Sequence, residues 1–294
     1  MSEHTPNIVD LVDHVPTSLG HSSDERTALA IRHFGFREHP FGDNVKPEFF
    51  FRTEAHEDAY IKMKRCIEEH VAVGLTTALS GTGKTLLTQI LLTELDPHRY
   101  EAIVVLSYPG MTRTGLLREV AREIGLEGLG PRTPIHMLME GIQERIIDLY
   151  RSGKKLVIII DECHFLGVEA LQVVRTLSNI ELPERKLVTL LLFGEEFFLT
   201  KLARPEYASI VNRMFIRARL RPLTREETEQ YVKFRCLVSG GRPTIFTSSF
   251  YPTLYERSQG IPREINRLCH MALFEAARSG MTAVGPEMLV AGDA

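Results

Sequence analysis

The residues best suited to chemistry form one glycine-rich stretch, Ser80-Gly81-Thr82-Gly83-Lys84-Thr85. An apolar run over 71–79 precedes it, and a helical pattern with leucines and isoleucine on one face follows it. A strand, a glycine-rich turn and Gly-Lys-Thr at a helix start form a phosphate-binding loop, where backbone N–H groups and the positive helix end meet phosphates. The stretch therefore predicts a site for a nucleoside triphosphate.

The residue types within this loop predict separate tasks. Lys84 is expected to reach the β and γ phosphates and to take part in catalysis, and the Thr85 hydroxyl is expected to coordinate Mg²⁺. Ala78 stands where such loops usually begin with glycine, and it is tolerable there because the later glycines make the close phosphate contacts. The residues expected to contact the nucleotide are Ser80, Gly81, Thr82, Gly83, Lys84, Thr85 and Leu86.

A pair of acids, Asp161 and Glu162, forms the second informative feature. It ends the apolar, β-branched run 156–160, which is typical of a central parallel strand buried on both faces. The carboxyl ends of such strands face the ligand crevice. We therefore expect Asp161 to hold Mg²⁺ and Glu162 to orient and polarise the water that attacks the γ-phosphate. His164 is interpreted as a turn residue beside the site, with a water relay as the alternative.

The elements that must position these residues alternate between strand and helix. Strands are predicted at 71–79, 102–106, 156–160, 187–193 and 214–220. Thr133 is predicted to cap the helix that follows it, with Pro134 as its first residue. After a capping box at Thr224 and Glu227 the pattern becomes all-helical, with helices near 225–238 and 247–258 and a third that opens over 260–267. We predict a flexible tail over 1–30, an α/β nucleotide-binding domain over 31–222 and a helical lid over 223–294.

Five parallel strands flanked by helices, followed by a small helical lid, resemble the architecture of AAA+ P-loop NTPases. In that architecture Glu195, after the fourth strand, is placed beside the phosphate loop as a candidate γ-phosphate sensor. Arg213 is placed as a finger that acts on a neighbouring subunit's nucleotide. Arg263, after Gly-Ile-Pro at a helix start, is expected to bind and act on the γ-phosphate, and Arg267, one turn on, is its fallback.

The composition is that of an ordinary globular protein, with 44% hydrophobic and 25% charged residues. A net charge of −3 gives no overall sign of nucleic-acid binding, although a local basic patch is compatible with it. No signal-peptide core is present in the first 30 residues, and no apolar run approaches the roughly 18–20 residues that span a bilayer. We expect a cytoplasmic protein with reduced cysteines at Cys66, Cys163, Cys236 and Cys269.

Over residues 31–290 the chain resembles the ExeA/GspA-type AAA+ ATPases of the general secretion pathway. The specific blocks are Leu220-Arg-Pro-Leu-Thr-Arg-Glu-Glu-Thr228 and Gly260-Ile-Pro-Arg-Glu-Ile-Asn-Arg-Leu-Cys269, and a third is the aromatic segment 34–41. The segment 34–41 is expected to pack on the core or to wall the adenine pocket. The resemblance implies binding and hydrolysis of ATP with Mg²⁺, coupled to assembly of a homo-oligomeric ring or helical filament that recruits a protein client.

The chain is also similar to stand-alone transposition ATPases of the TnsC/TniB type, in which ATP-bound oligomers grip duplex DNA and recruit a transposase. Full-length secretion ATPases of this type continue into a transmembrane helix and a peptidoglycan-binding domain, neither of which is expected here, and glutamine usually replaces Glu195 in them. Both pathways therefore stay open. Alternate positions along the fifth strand carry Arg217, Arg219 and Arg221, which would share one face of that strand. This face is interpreted either as a solvated surface or as a stripe that contacts DNA.

Overall fold

The structure, a computed structural model, describes residues 21–42, 46–128, 130, 132–183 and 185–290. Its centre is a parallel five-stranded sheet with strand order β2-β3-β6-β1-β7, beside a separate two-stranded hairpin of β4 and β5. The strands are β1 Val73–Ala78, β2 Tyr100–Leu106, β3 Lys155–Asp161, β4 Glu181–Leu182, β5 Arg185–Lys186, β6 Val188–Glu195 and β7 Met214–Leu220.

The helices fall between these strands and after the last of them. Short 3₁₀ turns accompany them at Pro47–Phe49, Cys163–Phe165 and Pro205–Tyr207. In chain order the α-helices are α1 His21–Phe34, α2 Glu54–Glu68, α3 Lys84–Glu94, α4 Arg113–Glu123, α5 Ile135–Arg151, α6 Val168–Leu177, α7 Phe198–Leu202, α8 Ala208–Val211, α9 Arg225–Val238, α10 Phe250–Ser258, α11 Pro262–Arg278 and α12 Glu287–Val290.

Strand β3 shows why the sheet needs helices on both faces. Every residue of β3 is buried, and alternate side chains point to opposite faces of the sheet. Ile158 and Ile160 join a core that α4, α5 and α6 cover, whereas Val157 and Ile159 join a second core that α2 and α3 cover. A continuous apolar strand is therefore stabilised by a helical layer on each side, as the sequence predicted.

The α/β part of the chain forms one compact unit, Asn44–Thr224 together with Ile261–Arg263. Helix α2 begins where the Thr53 side chain accepts the His56 N–H, and α4 begins in the same way at Thr112. The predicted cap of α5 is wrong: the cap position is Pro134, which offers no side-chain acceptor, so Thr133 lies one residue too early.

The second compact unit comprises the described residues of Met1–Asp43, Arg225–Gly260 and Glu264–Ala294. The prediction of a tail over 1–30 is wrong for 21–30, because these residues belong to α1 and Ala30 is fully buried. Residues 1–20 lie outside the described residues. The segment 31–42 also groups with this helical unit, whereas the prediction placed it in the α/β domain.

Hydrogen bonds explain why the aromatic segment belongs to the helical unit. The buried guanidinium of Arg235 donates to the carbonyls of Pro40 and Gly42, at 2.5 and 3.1 Å. Phe41 packs edge-on against Phe246, with ring centroids 5.8 Å apart. The segment is thus packed on a core, and its role at an adenine pocket stays a prediction.

All four cysteines are buried and carry free thiols. Burial raises the pKa of Cys66 to about 12, which keeps that thiol protonated and inert near neutral pH. No helix of the described residues combines the length and the apolar composition that crossing a bilayer requires.

Candidate functional site

The phosphate loop joins the carboxyl end of β1 to the first turn of α3. Gly83 is the cap residue of α3 and has φ 106°, a left-handed conformation that glycine adopts without a steric penalty. Lys84 follows directly and is 6% exposed. Its ammonium has one hydrogen-bond acceptor among the described residues, the Leu79 carbonyl at 3.5 Å. The loop therefore presents an ammonium group and a helix N-terminus at the same place, which suits phosphate.

A buried histidine, His56, contacts the backbone of this loop. Nε2 of His56 lies 3.1 Å from the Thr82 carbonyl oxygen, and Nδ1 lies 2.7 Å from the Thr53 hydroxyl. Thr82 also donates its hydroxyl to the Leu79 carbonyl at 2.7 Å. His56 was not predicted as a site residue, because the contact joins residues 26 positions apart and leaves no local pattern.

Arg263 lies directly against the loop. Its backbone N–H donates to the Gly81 carbonyl at 3.2 Å, and its guanidinium donates to the Ser80 hydroxyl at 3.3 Å. A Cβ atom on Gly81 would come within 2.8 Å of the Arg263 Cβ, and Gly81 has φ 79°. Arg263 therefore stands beside two of the residues predicted to bind nucleotide.

This close approach leads to a stability prediction. Gly153→Ala is the matched control, because Gly153 has φ 83° and its added Cβ would meet nothing within 4 Å. Gly153→Ala should cost about 1 kcal/mol of unfolding free energy from backbone strain alone. Gly81→Ala should cost a further 1–3 kcal/mol or so, because Arg263 must move. Urea unfolding measures both, and equal losses would contradict the contact.

The two residues predicted to hold Mg²⁺ lie side by side. The Thr85 hydroxyl donates to Oδ2 of Asp161 at 3.4 Å, while Oδ1 of Asp161 accepts the Glu162 N–H at 2.8 Å. A hydroxyl and a carboxylate are hard oxygen ligands of the kind that Mg²⁺ prefers. The exposed Thr85 and the buried Asp161 therefore fit a magnesium ion bound next to the triphosphate.

Three side chains converge at the carboxyl ends of β3 and β6. Oε2 of Glu162 lies 3.2 Å from Nδ1 of His164, and the same nitrogen accepts the Glu195 backbone N–H at 3.3 Å. Oε2 makes no hydrogen bond to a described residue, because Nδ1 acts as an acceptor in this arrangement. Ligand atoms of Glu162, His164 and Glu195 all lie within 4.8 Å of one another. His164 is therefore part of the site as well as of the turn.

Glu162 itself is held in an unusual backbone conformation. Its φ is 53°, which is uncommon outside glycine and is concentrated at functional sites. The Ser107 hydroxyl lies within hydrogen-bond distance of the carbonyls of Asp161 and Glu162, at 2.8 and 2.7 Å. Ser107 was not predicted, although its position after β2 at the carboxyl edge of the sheet is a usable signal.

Arg213 lies at the amino-terminal end of the parallel strands, whereas the phosphate loop of its own chain lies at their carboxyl-terminal end. It immediately precedes β7, which runs parallel to β1 with Val73 beside Met214 and Ala78 beside Leu220. The loop follows the last residue of β1, so the whole strand length separates the two. Arg213 is thus not brought into its own site.

The other predicted arginines have partners within the chain. Arg219 makes two 2.7 Å bonds to the Glu196 carboxylate, and Arg217 donates to the carbonyls of Met214 and Val211. Arg267 donates to Glu264 at 2.9 Å. Glu195 pairs in register with Ala78, which places it next to the phosphate loop as predicted.

A phosphate loop after β1, an Asp-Glu pair at the end of β3 and a helical unit after β7 are the features of the AAA+ P-loop NTPase fold. The AAA domain family (AAA_22) matches residues 67–202, which include the loop and the acidic pair. The chain therefore resembles the AAA+ P-loop NTPases in its fold and in these motifs, and the predicted fold class and resemblance are confirmed.

Among known proteins, the chain is similar to general secretion pathway protein A of Aeromonas hydrophila, with 31% identity over 247 residues. That alignment covers 84% of this chain, and this chain spans 45% of that protein. The ORC2 protein of Aeropyrum pernix superposes with TM-score 0.63 at 17% identity, over 85% of this chain and 69% of that one. RuvB of Thermotoga maritima superposes with TM-score 0.55 at 15% identity, over 83% and 68%. The two structural matches show the fold alone.

Proposed function

We propose that this protein is an ATP hydrolase that binds ATP with Mg²⁺ and couples hydrolysis to assembly of a homo-oligomer that recruits a protein partner. The observation that carries the proposal is the distance of 3.4 Å between the Thr85 hydroxyl and Asp161, directly at the helix end that holds Lys84. A phosphate-binding loop and an acidic pair at this spacing are what phosphoryl transfer needs.

The residues of this chain divide the reaction between them. The loop N–H groups and Lys84 hold the β and γ phosphates, and Glu162 orients a water in line with the γ-phosphorus. The water oxygen bonds to phosphorus, the bond to the β–γ bridging oxygen breaks, and ADP leaves with that electron pair. The carboxylate of Glu162 accepts the proton of the water. Thr85 and Asp161 would hold Mg²⁺, which would supply positive charge to neutralise the phosphates.

Neighbouring residues position the backbone and the carboxylate of Glu162. Ser107 supports its backbone carbonyl, and His164 lies against its carboxylate without donating a hydrogen bond. Lys201 fixes the turn that carries His164, because its ammonium donates to the carbonyls of His164 and Leu166 at 3.2 and 2.6 Å. A carboxylate is the group that accepts the proton of the attacking water in this mechanism.

We assign Arg213 to the nucleotide of a neighbouring subunit. The position of Arg213 at the far edge of the sheet supports this assignment, because the residue cannot serve its own phosphate loop. Phe215, two residues on, is 79% exposed on the edge strand β7. A large exposed aromatic ring beside a cation is typical of a protein interface.

Arg213→Ala should lower ATP turnover by about 10³-fold or more in the assembled protein, because an arginine finger contributes roughly that much. Its ATP affinity should stay within about twofold of the wild type, since Arg213 is remote from its own loop. Phosphate release and nucleotide binding, each measured across protein concentration, test this. Arg204→Ala, an exposed arginine in a turn of the same unit, is the control.

Mixing two inactive variants tests the trans arrangement directly. Arg213→Ala keeps an intact phosphate loop, and Lys84→Ala keeps an intact finger. Mixed oligomers should regain turnover, because Arg213 of one variant completes the loop of the other. Unchanged turnover in Arg213→Ala, or no recovery on mixing of variants that still assemble, would refute the assignment.

For the recruited partner, we propose a component of a secretion machine. Support comes from 31% identity to a general secretion pathway protein over 84% of this chain. Purified secretion components should bind the ATP-bound oligomer more tightly than the nucleotide-free chain. If ATP-bound oligomers instead bind duplex DNA and a transposase, the transposition alternative is favoured.

A further inference from the structure

A second charged site lies at the amino-terminal edge of the sheet, away from the phosphate loop. A cavity of about 210 Å³ opens there, where β2, β3 and β6 begin. The basic residues that line it are His70, Arg99, Lys154, Lys155, Arg185 and Lys186, and no described lining residue is acidic. Five lysines and arginines around one cavity stand out in a chain whose net charge is −3.

The cations occupy different depths. Lys155 forms part of the buried wall at 9% exposure and uses one of its donors on the Ile67 carbonyl, at 2.7 Å. Arg99 and Arg185 lie exposed at the rim, each against a tyrosine ring, with guanidinium-to-centroid distances of 5.5 and 5.9 Å. The cavity is thus charged from wall to mouth.

Few of these charges are neutralised. Among the described residues, Lys154 pairs with Glu101 at 3.3 Å and Lys186 pairs with Glu181, while Arg99 and Arg185 have no carboxylate partner. Burial lowers the pKa of Lys155 to about 8, and burial together with Lys155 and Arg185 lowers the pKa of His70. Crowded cations repel one another, and a bound anion would relieve that repulsion.

We propose that this cavity binds a compact polyphosphate, either inorganic or the polyphosphate chain of a nucleotide, at a site separate from the ATPase site. Guanidinium forks bind phosphate oxygens in pairs, and lysines add point charges. A single phosphate group brings only about two negative charges, fewer than the three positive charges of Arg99, Lys155 and Arg185, which pair with no described carboxylate. A polyphosphate brings several within one small volume.

The size of the cavity disfavours a nucleic-acid strand as its main ligand. Phosphates along one strand advance about 3.4 Å of helix axis per nucleotide, so five of them extend over roughly 14 Å. A cavity of about 210 Å³ takes few of these, whereas a short polyphosphate fits in one piece. The inference goes beyond the ATPase activity and does not depend on it, because it uses none of the residues at the phosphate loop.

The test is calorimetric titration with inorganic tripolyphosphate in a Lys84→Ala background, which disables the phosphate loop. We expect saturable, salt-sensitive binding. Adding Arg99→Gln and Arg185→Gln should weaken it at least tenfold, because each lost arginine removes charge-assisted hydrogen bonds. Adding Arg122→Gln instead, an exposed arginine on α4, should leave the affinity unchanged. Thermal unfolding of each variant checks that it is folded.

A second titration with ATP in the same backgrounds identifies the source of the polyphosphate. ATP binding that is weakened by the same two arginine changes assigns a nucleotide polyphosphate, and tripolyphosphate binding without ATP binding assigns an inorganic one. No binding of either, or binding that ignores Arg99 and Arg185, overturns the proposal. So does arginine-dependent binding of a duplex oligonucleotide alone. ATP turnover of the chain with Lys84 intact tests the proposed ATPase activity separately. A failure of the ATPase proposal can therefore be distinguished from a failure of the polyphosphate proposal.

Discussion

Lys84→Ala is expected to weaken ATP binding at least a hundredfold. The ammonium is buried at the start of α3 and has only a 3.5 Å bond to Leu79 among the described residues, so its donors are available to the phosphates. Two charge-assisted bonds of about 1.5–3 kcal/mol each amount to at least two orders of magnitude in affinity. Equilibrium titration with a fluorescent ATP analogue measures the change, and turnover should disappear with binding.

Lys62→Ala is the matched control for this prediction. Lys62 lies on α2 of the same unit and pairs with Asp58 at 2.7 Å, with both side chains substantially exposed. It removes the same charge, and its surface ion pair contributes at most about 1 kcal/mol. An equal loss of affinity in both variants would mean that net charge, rather than the loop, governs binding, and the assignment of Lys84 would be wrong.

Glu162→Gln is expected to separate binding from chemistry. The amide keeps the shape of the side chain but cannot accept the proton of the attacking water. Loss of a general base typically lowers the rate about 10²–10⁴-fold. The affinity for ATP should stay within about threefold, because Glu162 lies beyond the residues that hold the phosphates. Single-turnover hydrolysis and equilibrium binding measure the two effects separately.

The control for Glu162→Gln is Glu169→Gln. Glu169 lies in the first turn of α6, with its side chain 77% exposed and 3.8 Å from Arg113. It removes the same charge close in sequence and should leave turnover unchanged. Full turnover in Glu162→Gln would remove the proposed mechanism, because that mechanism has Glu162 accept the proton of the attacking water.

Strands β1, β3 and β6 were predictable from sequence because nearly all of their residues are buried. The run 156–160 is apolar at each position, and the corresponding strand β3 is buried throughout. The hairpin of β4 and β5 was missed, since two-residue strands leave too short a pattern to detect. Helix α1 was also missed, because its polar composition hides the few residues, such as Ala30, that it buries.

The site was predictable to the extent that its chemistry is local. The phosphate loop and the acidic pair are continuous in sequence, and Glu195 follows a recognisable strand. The support from His56 and Ser107 depends on contacts across 26 and 54 or more positions, which one sequence does not reveal. The left-handed backbone of Glu162 was equally hidden, because no glycine marks it.

The position of Arg213 at the far edge of the sheet has a consequence for how activity scales with assembly. If the finger always serves a neighbour, each subunit carries two half-sites, and a linear assembly of any length contains one complete site fewer than it has subunits. Turnover per subunit would then rise steeply as the first few subunits are added. It would level off in longer assemblies, because a smaller fraction of their subunits stands at an end. Closure into a ring would complete the last site, so a ring and an open filament of equal subunit number would differ by one active site. Turnover per subunit would therefore report the fraction of subunits that stand at open ends.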